Sequence, residues 1–178
     1  MDEPRAEGWG DGLKYVVFIL FALILIPTVA SFAKKGSKYR ERILAALVCS
    51  PALGGMANVN FYSIETYRGP DRGFEVTLTD LLAWGLFFYL VSRKDKNLSW
   101  VPVGTGFMAI FFVFACMSVT QAPMQIGAIF SLWKLFRLYV IFWVVTNLLR
   151  TGVDPKALFY GWTVMGLLFF AQCFYQKY

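Results

Sequence analysis

Residues 61–80, FYSIETYRGPDRGFEVTLTD, form the longest polar run in a chain that otherwise consists largely of apolar blocks. The run carries six charged side chains and a Gly-Pro turn. Of all 178 residues, 58% are hydrophobic and only 16% are charged, whereas about 25% are charged in soluble domains. A soluble domain of this size could not bury so much apolar surface. The sequence therefore predicts an all-α, polytopic membrane protein that holds this run at one membrane face.

About six apolar blocks are long enough to cross roughly 30 Å of hydrocarbon as helices. They follow a short tail at residues 1–12 and make up a single transmembrane domain over residues 13–178. The predicted spans are residues 13–33, 43–59, 76–91, 101–120, 126–149 and 157–174. Before the third span, Thr77 and Asp80 have the spacing of a helix capping box, with Asp in place of the usual Glu or Gln.

The basic residues predict the orientation of these spans. Five Lys or Arg side chains crowd the KKGSKYRER segment after the first span, and the loops on its side of the membrane hold ten, against five on the other side. Cytoplasmic loops carry the excess of Lys and Arg. We therefore expect the 61–80 run and both termini to be extracytoplasmic. The net charge of +6 is then explained by topology, and no nucleic-acid partner is predicted.

The first candidate binding residues are Arg68 and Arg72, which flank a glycine-proline turn in the polar run. Guanidinium groups suit phosphate oxygens because their donors form a planar fork. Two of them at a membrane surface could bind a lipid-linked diphosphate. The alternative is structural, with the arginines paired to neighbouring acids. Glu65, Asp71 and Asp80 are accordingly predicted to be structural, although Asp80 is open to two interpretations, a helix cap or a catalytic base.

The second candidate pair, Lys134 and Arg137, lies within the fifth span on one helix face, because the two residues are three apart. Ionisable groups at such depth usually face a bundle interior or a wet cavity. Alternatively, the span begins later and both side chains extend outward to the interface. Both candidate pairs belong to the extracytoplasmic half, as a shared anionic site would require.

Composition excludes several kinds of chemistry for this polypeptide. Histidine is absent, so neither histidine metal sites nor histidine acid–base catalysis is available. The three cysteines fall inside apolar runs without CxxC spacing, which indicates neither a disulfide framework nor a zinc site. No cofactor, metal ligand or catalytic residue is predicted.

Residues 63–94, SIETYRGPDRGFEVTLTDLLAWGLFFYLVSRK, resemble an early segment of bacterial O-antigen ligase family membrane proteins, which have a similar "YRG…RGFE…LTDLLA" run. Residues 130–151, FSLWKLFRLYVIFWVVTNLLRT, resemble a later helix of that family, and residues 172–178 the end of the next helix. The resemblance implies a metal-independent glycosyltransferase of the inner membrane. Such enzymes move a glycan from undecaprenyl diphosphate to an acceptor on the extracytoplasmic face, and arginines stabilise the leaving diphosphate.

The chain departs from this family in its second half. Members have about ten to twelve spans and a large extracytoplasmic loop with an arginine and a histidine central to transfer. We therefore expect this chain to be the N-terminal portion of such an enzyme, inactive without further segments or a second polypeptide. Lys134, Arg137, Arg68 and Arg72 would then bind the carrier or serve structural roles. The alternatives are a transporter subunit or a scaffold of an envelope-polysaccharide assembly complex.

Overall fold

The computed structural model describes residues 9–53, 58–63, 73–93 and 97–177. The secondary structure is mainly helical, as predicted, and includes one β-hairpin. The elements are helix α1 (Trp9–Lys34), helix α2 (Ser37–Cys49), a 3-10 turn (Ser50–Leu53), strands β1 (Asn58–Ser63) and β2 (Gly73–Thr77), and helices α3 (Leu78–Ser92), α4 (Thr105–Gln121), α5 (Gln125–Arg150) and α6 (Lys156–Lys177).

Three helices of the described residues are long and apolar enough to cross a membrane. These segments are Tyr15–Lys34, Gln125–Arg150 and Lys156–Tyr175. The surface of the bundle is also suited to a membrane, because large apolar side chains such as Leu23, Phe107 and Phe170 are more than 60% exposed. An apolar exterior of this extent is typical of a protein surrounded by lipid rather than water. The chain is therefore a helical membrane protein.

The prediction of six full spans is not confirmed. Helices α3 and α4, with 15 and 17 residues, are shorter than the usual span. The second predicted span, residues 43–59, is wrong as a continuous helix. Helix α2 begins earlier, inside the basic segment, and has only 13 residues. It gives way to the 3-10 turn that contains Pro51, a residue that cannot donate a helical hydrogen bond.

Two strands that the sequence did not predict lie in and just before the polar run. Strands β1 and β2 pair antiparallel, with Val59 opposite Val76 and Ser63 opposite Gly73. Phe61 on β1 contacts Tyr15 and Phe18 near the start of α1, with ring centroids 5.5 and 5.7 Å apart. The hairpin thus lies at the N-terminal end of α1.

Helices α1, α3 and α5 run in the same direction. Gly85 of α3 packs so closely on α1 that an added Cβ would lie 2.6 Å from Cγ1 of Val29. Phe87 of α3 contacts Trp143 of α5, with their ring centroids 5.1 Å apart. The hairpin therefore lies at one end of the bundle, and the C-terminal ends of these three helices lie at the other.

Helix α6 returns along α2 towards the hairpin end. Gly161 is buried against α2, where an added Cβ would lie 2.8 Å from both the Ala45 carbonyl oxygen and Cβ of Val48. Near the other end of α6, Gln172 Nε2 donates to the Ala52 carbonyl at 2.8 Å. Small residues that allow backbones to approach closely are common between membrane helices.

The turn between α5 and α6 is set by local chemistry. Val153 N–H donates to the Leu148 carbonyl and Gly152 N–H to the Leu149 carbonyl, which is the Schellman arrangement at a helix C-terminus. Gly152 has φ of 86°, a conformation that favours glycine. Asp154 then caps α6, because its Oδ1 accepts from Lys156 N–H at 2.9 Å.

Buried apolar side chains from five helices form the core between these elements. The cluster includes Leu44, Leu47, Leu86, Leu90, Val144, Leu148, Val153 and Ala157. Helix α4 contributes no buried residue and lies on the outside of the bundle against α5.

Candidate functional site

The candidate site lies where strand β2 passes directly into helix α3. Thr77 is the N-cap residue of α3, and the predicted capping box is confirmed. The Asp80 carboxylate accepts from the backbone N–H of Thr77 at 2.7 Å and from its hydroxyl at 2.9 Å, both at Oδ2. A carboxylate in the first turn also interacts favourably with the helix dipole. Asp80 is therefore the N3 partner of Thr77 in the capping box of α3, and it is buried.

Arg137 of helix α5 approaches the same carboxylate from the side. Its Nε donates to Asp80 Oδ1 at 2.8 Å, and its Nη2 lies 2.6 Å from Oδ2. The same Nη2 donates to the Thr77 hydroxyl at 3.1 Å. This is the two-pronged geometry in which arginine binds carboxylates most strongly. Arg137 thus faces the bundle interior rather than extending outward.

Aromatic contacts attach the hairpin to α5 one turn before Arg137. Trp133 Nε1 donates to the Glu75 carbonyl of β2 at 3.1 Å. The Phe74 ring lies 5.1 Å from that of Phe130, which is fully buried, and 6.0 Å from that of Trp133. These contacts fix the position of β2, and therefore of the α3 N-terminus, relative to α5.

A cavity of about 380 Å³ opens beside this junction, between the 3-10 turn, the start of α3 and α5. Its polar lining consists of Glu75, Thr77, Thr79, Lys134 and Arg137. The Thr79 hydroxyl lies 2.7 Å from Ser50 Oγ, which in turn donates to the Leu47 carbonyl. We call this cavity the hairpin groove. It brings together Lys134 and Arg137, the two candidate residues from the fifth predicted span.

Lys134 also lines a neighbouring cavity of about 400 Å³ between α4 and α5. The remaining lining of this cavity is mainly apolar and includes Phe111, Leu132, Leu135 and Leu138. We call it the α4–α5 groove. The Lys134 side chain therefore lines both grooves.

The other predicted site residues, Arg68, Arg72, Glu65 and Asp71, lie outside the described residues. The strands on either side of their segment pair with each other at Ser63 and Gly73. Among the described residues, no group of three or more Cys, Asp or Glu side chains could hold a metal ion. The cysteines are free thiols, and none of the three is fully buried.

Asn147 is a key polar residue that the sequence did not single out. This fully buried side chain accepts from Ser99 N–H at 2.8 Å and donates to the carbonyls of Ser99 and Trp143, both at 3.0 Å. It therefore ties the segment between α3 and α4 to α5. The available signal was an amide side chain within an apolar helix, where polar groups are costly unless they are partnered.

The hairpin groove thus combines a buried ion pair with charged and hydroxyl side chains along an open groove at one end of an apolar bundle. No model of a known protein family, no curated protein and no solved structure matches the chain.

Proposed function

We propose that this chain is the membrane-embedded N-terminal portion of a glycosyltransferase similar to bacterial O-antigen ligases and polymerases. In this role it binds the diphosphate of an undecaprenyl-linked glycan at the hairpin groove. The observation that carries the proposal is that Lys134 and Arg137 line one groove at one end of a bundle whose exterior is apolar. The motif resemblance of residues 63–94 supports the same assignment.

A carrier lipid needs a polar site for its diphosphate beside an apolar path for its isoprenoid chain. The hairpin groove and the α4–α5 groove meet this requirement together, since Lys134 lines both. A lysine ammonium is a compact donor of three hydrogen bonds and binds phosphate as a point charge. We assign the diphosphate to the Lys134 side of the hairpin groove and the isoprenoid chain to the apolar lining of the α4–α5 groove.

In this proposal Arg137 mainly fixes the start of α3 against α5 and contributes little to binding the diphosphate. Its guanidinium holds Asp80 in two-pronged geometry, so its positive charge is largely offset within the protein. The further charge needed to bind a diphosphate comes from Arg68 and Arg72. Both belong to the segment that joins the two strands of the hairpin.

We propose that the hairpin end faces outward from a bacterial inner membrane. Lys34, Arg93 and Arg150, at the C-terminal ends of α1, α3 and α5, lie at the opposite end of the bundle from the hairpin. Since positive charge favours the cytoplasmic side, the hairpin and both termini are then extracytoplasmic. A glycan carried on undecaprenyl diphosphate would meet its acceptor on that face.

The transfer step itself requires groups beyond these residues. No histidine is present in the 178 residues. Among the residues that the structure describes, the only carboxylate that contacts Arg137 is that of Asp80, which belongs to the capping box of α3. We therefore propose that the acid–base chemistry comes from another segment or a second polypeptide, and that this chain binds the carrier without transferring glycan.

The test is binding of undecaprenyl diphosphate to the purified chain in lipid nanodiscs, measured by native mass spectrometry. We expect Lys134→Gln to weaken binding by about tenfold and Arg68→Gln with Arg72→Gln to weaken it further. Lys156→Gln provides a matched control, because this exposed lysine begins α6 at the opposite end of the bundle. Undecaprenyl monophosphate should bind more weakly than the diphosphate.

Equal binding by the Lys134→Gln and Lys156→Gln variants would contradict the assignment, provided that both have the wild-type helical content. Solute transport by this chain in proteoliposomes would instead favour a transporter subunit. Stable co-purification with a single partner, without carrier binding, would favour a scaffold of an envelope-polysaccharide assembly complex.

A further inference from the structure

A second cavity, of about 450 Å³, lies at the end of the bundle opposite the hairpin. It is enclosed by the C-terminal ends of α1 and α3 and by the start of α2. Three cationic side chains line it, those of Lys34, Arg40 and Arg93, together with Tyr89 and Ser92. No acidic side chain lines it among the residues that the structure describes. We call this cavity the basic pocket.

Arg40 is the unusual member of this set. Its Nε and Nη1 atoms are buried, yet neither has a hydrogen-bond partner within the described part of the chain. Buried donors are satisfied in the great majority of cases, and a charged donor without a partner is especially costly. The nearest acid along the helix, Glu41, instead accepts from the Ser37 hydroxyl at 2.8 Å. Within the described residues, the geometry therefore leaves these two donors of Arg40 available to an anion.

The position of Arg40 on its helix strengthens this point. Lys34 and Arg93 lie at the C-terminal ends of α1 and α3, where a cation offsets the negative end of the helix dipole. Arg40 lies near the N-terminus of α2, where the dipole opposes a positive charge. The helix dipole thus accounts for the positions of Lys34 and Arg93 but not for that of Arg40.

The backbone around Arg40 also favours an anion. Helix α2 starts after Gly36, which lines the basic pocket and provides no side-chain cap. The amide N–H groups of a helix's first turn need external acceptors, and they form anion sites when they lie beside basic side chains. The guanidinium of Arg93 is oriented by its Nη1, which donates to the Tyr89 hydroxyl at 2.8 Å.

We propose that the basic pocket binds a phosphate group, and its location assigns that group to the headgroup of an anionic phospholipid. The pocket lies at the end of apolar helices. Its lining residues Ala33 and Arg40 follow directly after Phe32 and Tyr39, whose ring centroids are 6.0 Å apart. Lys35 Nζ lies 4.4 Å from the centre of the Phe32 ring. Aromatic and basic side chains together mark the level of the lipid headgroups, and basic pockets there bind acidic lipids. This site does not depend on the proposed carrier site at the other end of the bundle.

The test measures lipid binding to the full chain in detergent by native mass spectrometry, with phosphatidylglycerol and phosphatidylcholine compared at equal concentration. We expect phosphatidylglycerol to bind at least tenfold more tightly. Arg40→Gln should remove most of that preference, whereas Arg42→Gln should change it less than twofold. Arg42 is a matched control because it is an exposed arginine on the same helix. Equal losses in the two variants, or no preference between the lipids, would overturn the proposal.

Two further measurements distinguish a lost phosphate site from a folding defect, and a lipid headgroup from free phosphate. If Arg40→Gln folds poorly, Arg40→Lys, which keeps the charge, should preserve a preference for phosphatidylglycerol; a complete loss in that folded variant would contradict a phosphate site. Millimolar inorganic phosphate should compete only weakly with the lipid. Tight binding of inorganic phosphate that depends on Arg40, without binding of phosphatidylglycerol, would overturn the lipid assignment and identify free phosphate as the ligand.

Discussion

The buried pair of Asp80 and Arg137 predicts an unusual order of stabilities among three variants. Arg137→Met removes the cation and leaves a buried carboxylate, whereas Asp80→Asn removes the anion and leaves a buried guanidinium. The combined variant removes both charges. We expect the double variant to be more stable than either single variant, because neither charge is then left buried without its counterion.

The expected magnitude follows from burial and geometry. The Arg137 and Asp80 side chains are only 14% and 5% exposed, and two separate N–O contacts of 2.8 and 2.6 Å join them. Breaking a buried pair by removing one partner costs about 3 to 5 kcal/mol, while replacing both partners is often close to neutral. The asparagine retains an oxygen that can accept from Thr77 N–H, so most of the helix cap, about 1 kcal/mol, should survive.

The measurement is the free energy of unfolding in mixed micelles, followed by circular dichroism as denaturant is added. Arg150→Met is the control, because Arg150 is an exposed arginine on the same helix whose Nε makes only a 3.4 Å contact with the Asn97 carbonyl. It should change stability by about 0.5 kcal/mol or less. An exposed ion pair contributes about 1 kcal/mol or less. If each single variant is within about 1 kcal/mol of wild type and the two effects add in the double variant, this account is refuted.

Three further predictions concern packing and hydrogen bonding, and thermal unfolding of the purified variants tests each. Gly161→Ala should lower stability by about 1 to 3 kcal/mol through its clash with α2, whereas Gly166→Ala, in open space on the same helix, should not; equal effects would contradict the close packing. Asn147→Leu should cost about 3 kcal/mol because it leaves loop backbone groups unpaired; an unchanged midpoint would argue against that role. Trp133→Phe keeps an aromatic ring but removes the donor to the Glu75 carbonyl, which should lower stability by about 1 kcal/mol. Unchanged stability would show that this hydrogen bond contributes little.

Local sequence signals predicted the features that depend on nearby residues. The apolar blocks predicted a mainly helical chain, and the fifth span, residues 126–149, differs from α5 by one residue at each end. The spacing of Thr77 and Asp80 predicted the capping box, because both partners lie within one helical turn. Such signals work where short-range geometry decides the structure.

Features that depend on distant partners could not be predicted in this way. Asp80 and Arg137 are 57 positions apart, so the sequence marked both as unusual without indicating that they pair. The β-hairpin is not predictable in this way because its strands are short, and β1 begins in an apolar block and ends in the polar run. The second span was misplaced because its apolar residues continue past Pro51, whereas the helix ends at Cys49.

Partly buried arginines at the two ends of the bundle differ in whether they have an acceptor among the described residues. At the hairpin end the Arg137 guanidinium is satisfied by the Asp80 carboxylate, so it fixes the junction of β2, α3 and α5. At the opposite end the buried donors of Arg40 have no acceptor within the described residues. Because a donor already paired in two-pronged geometry has little to gain from phosphate, a cation inside an apolar helix is not for that reason alone a binding residue. Arg40, whose buried donors lack an acceptor among the described residues, is therefore a stronger candidate for a phosphate contact than Arg137.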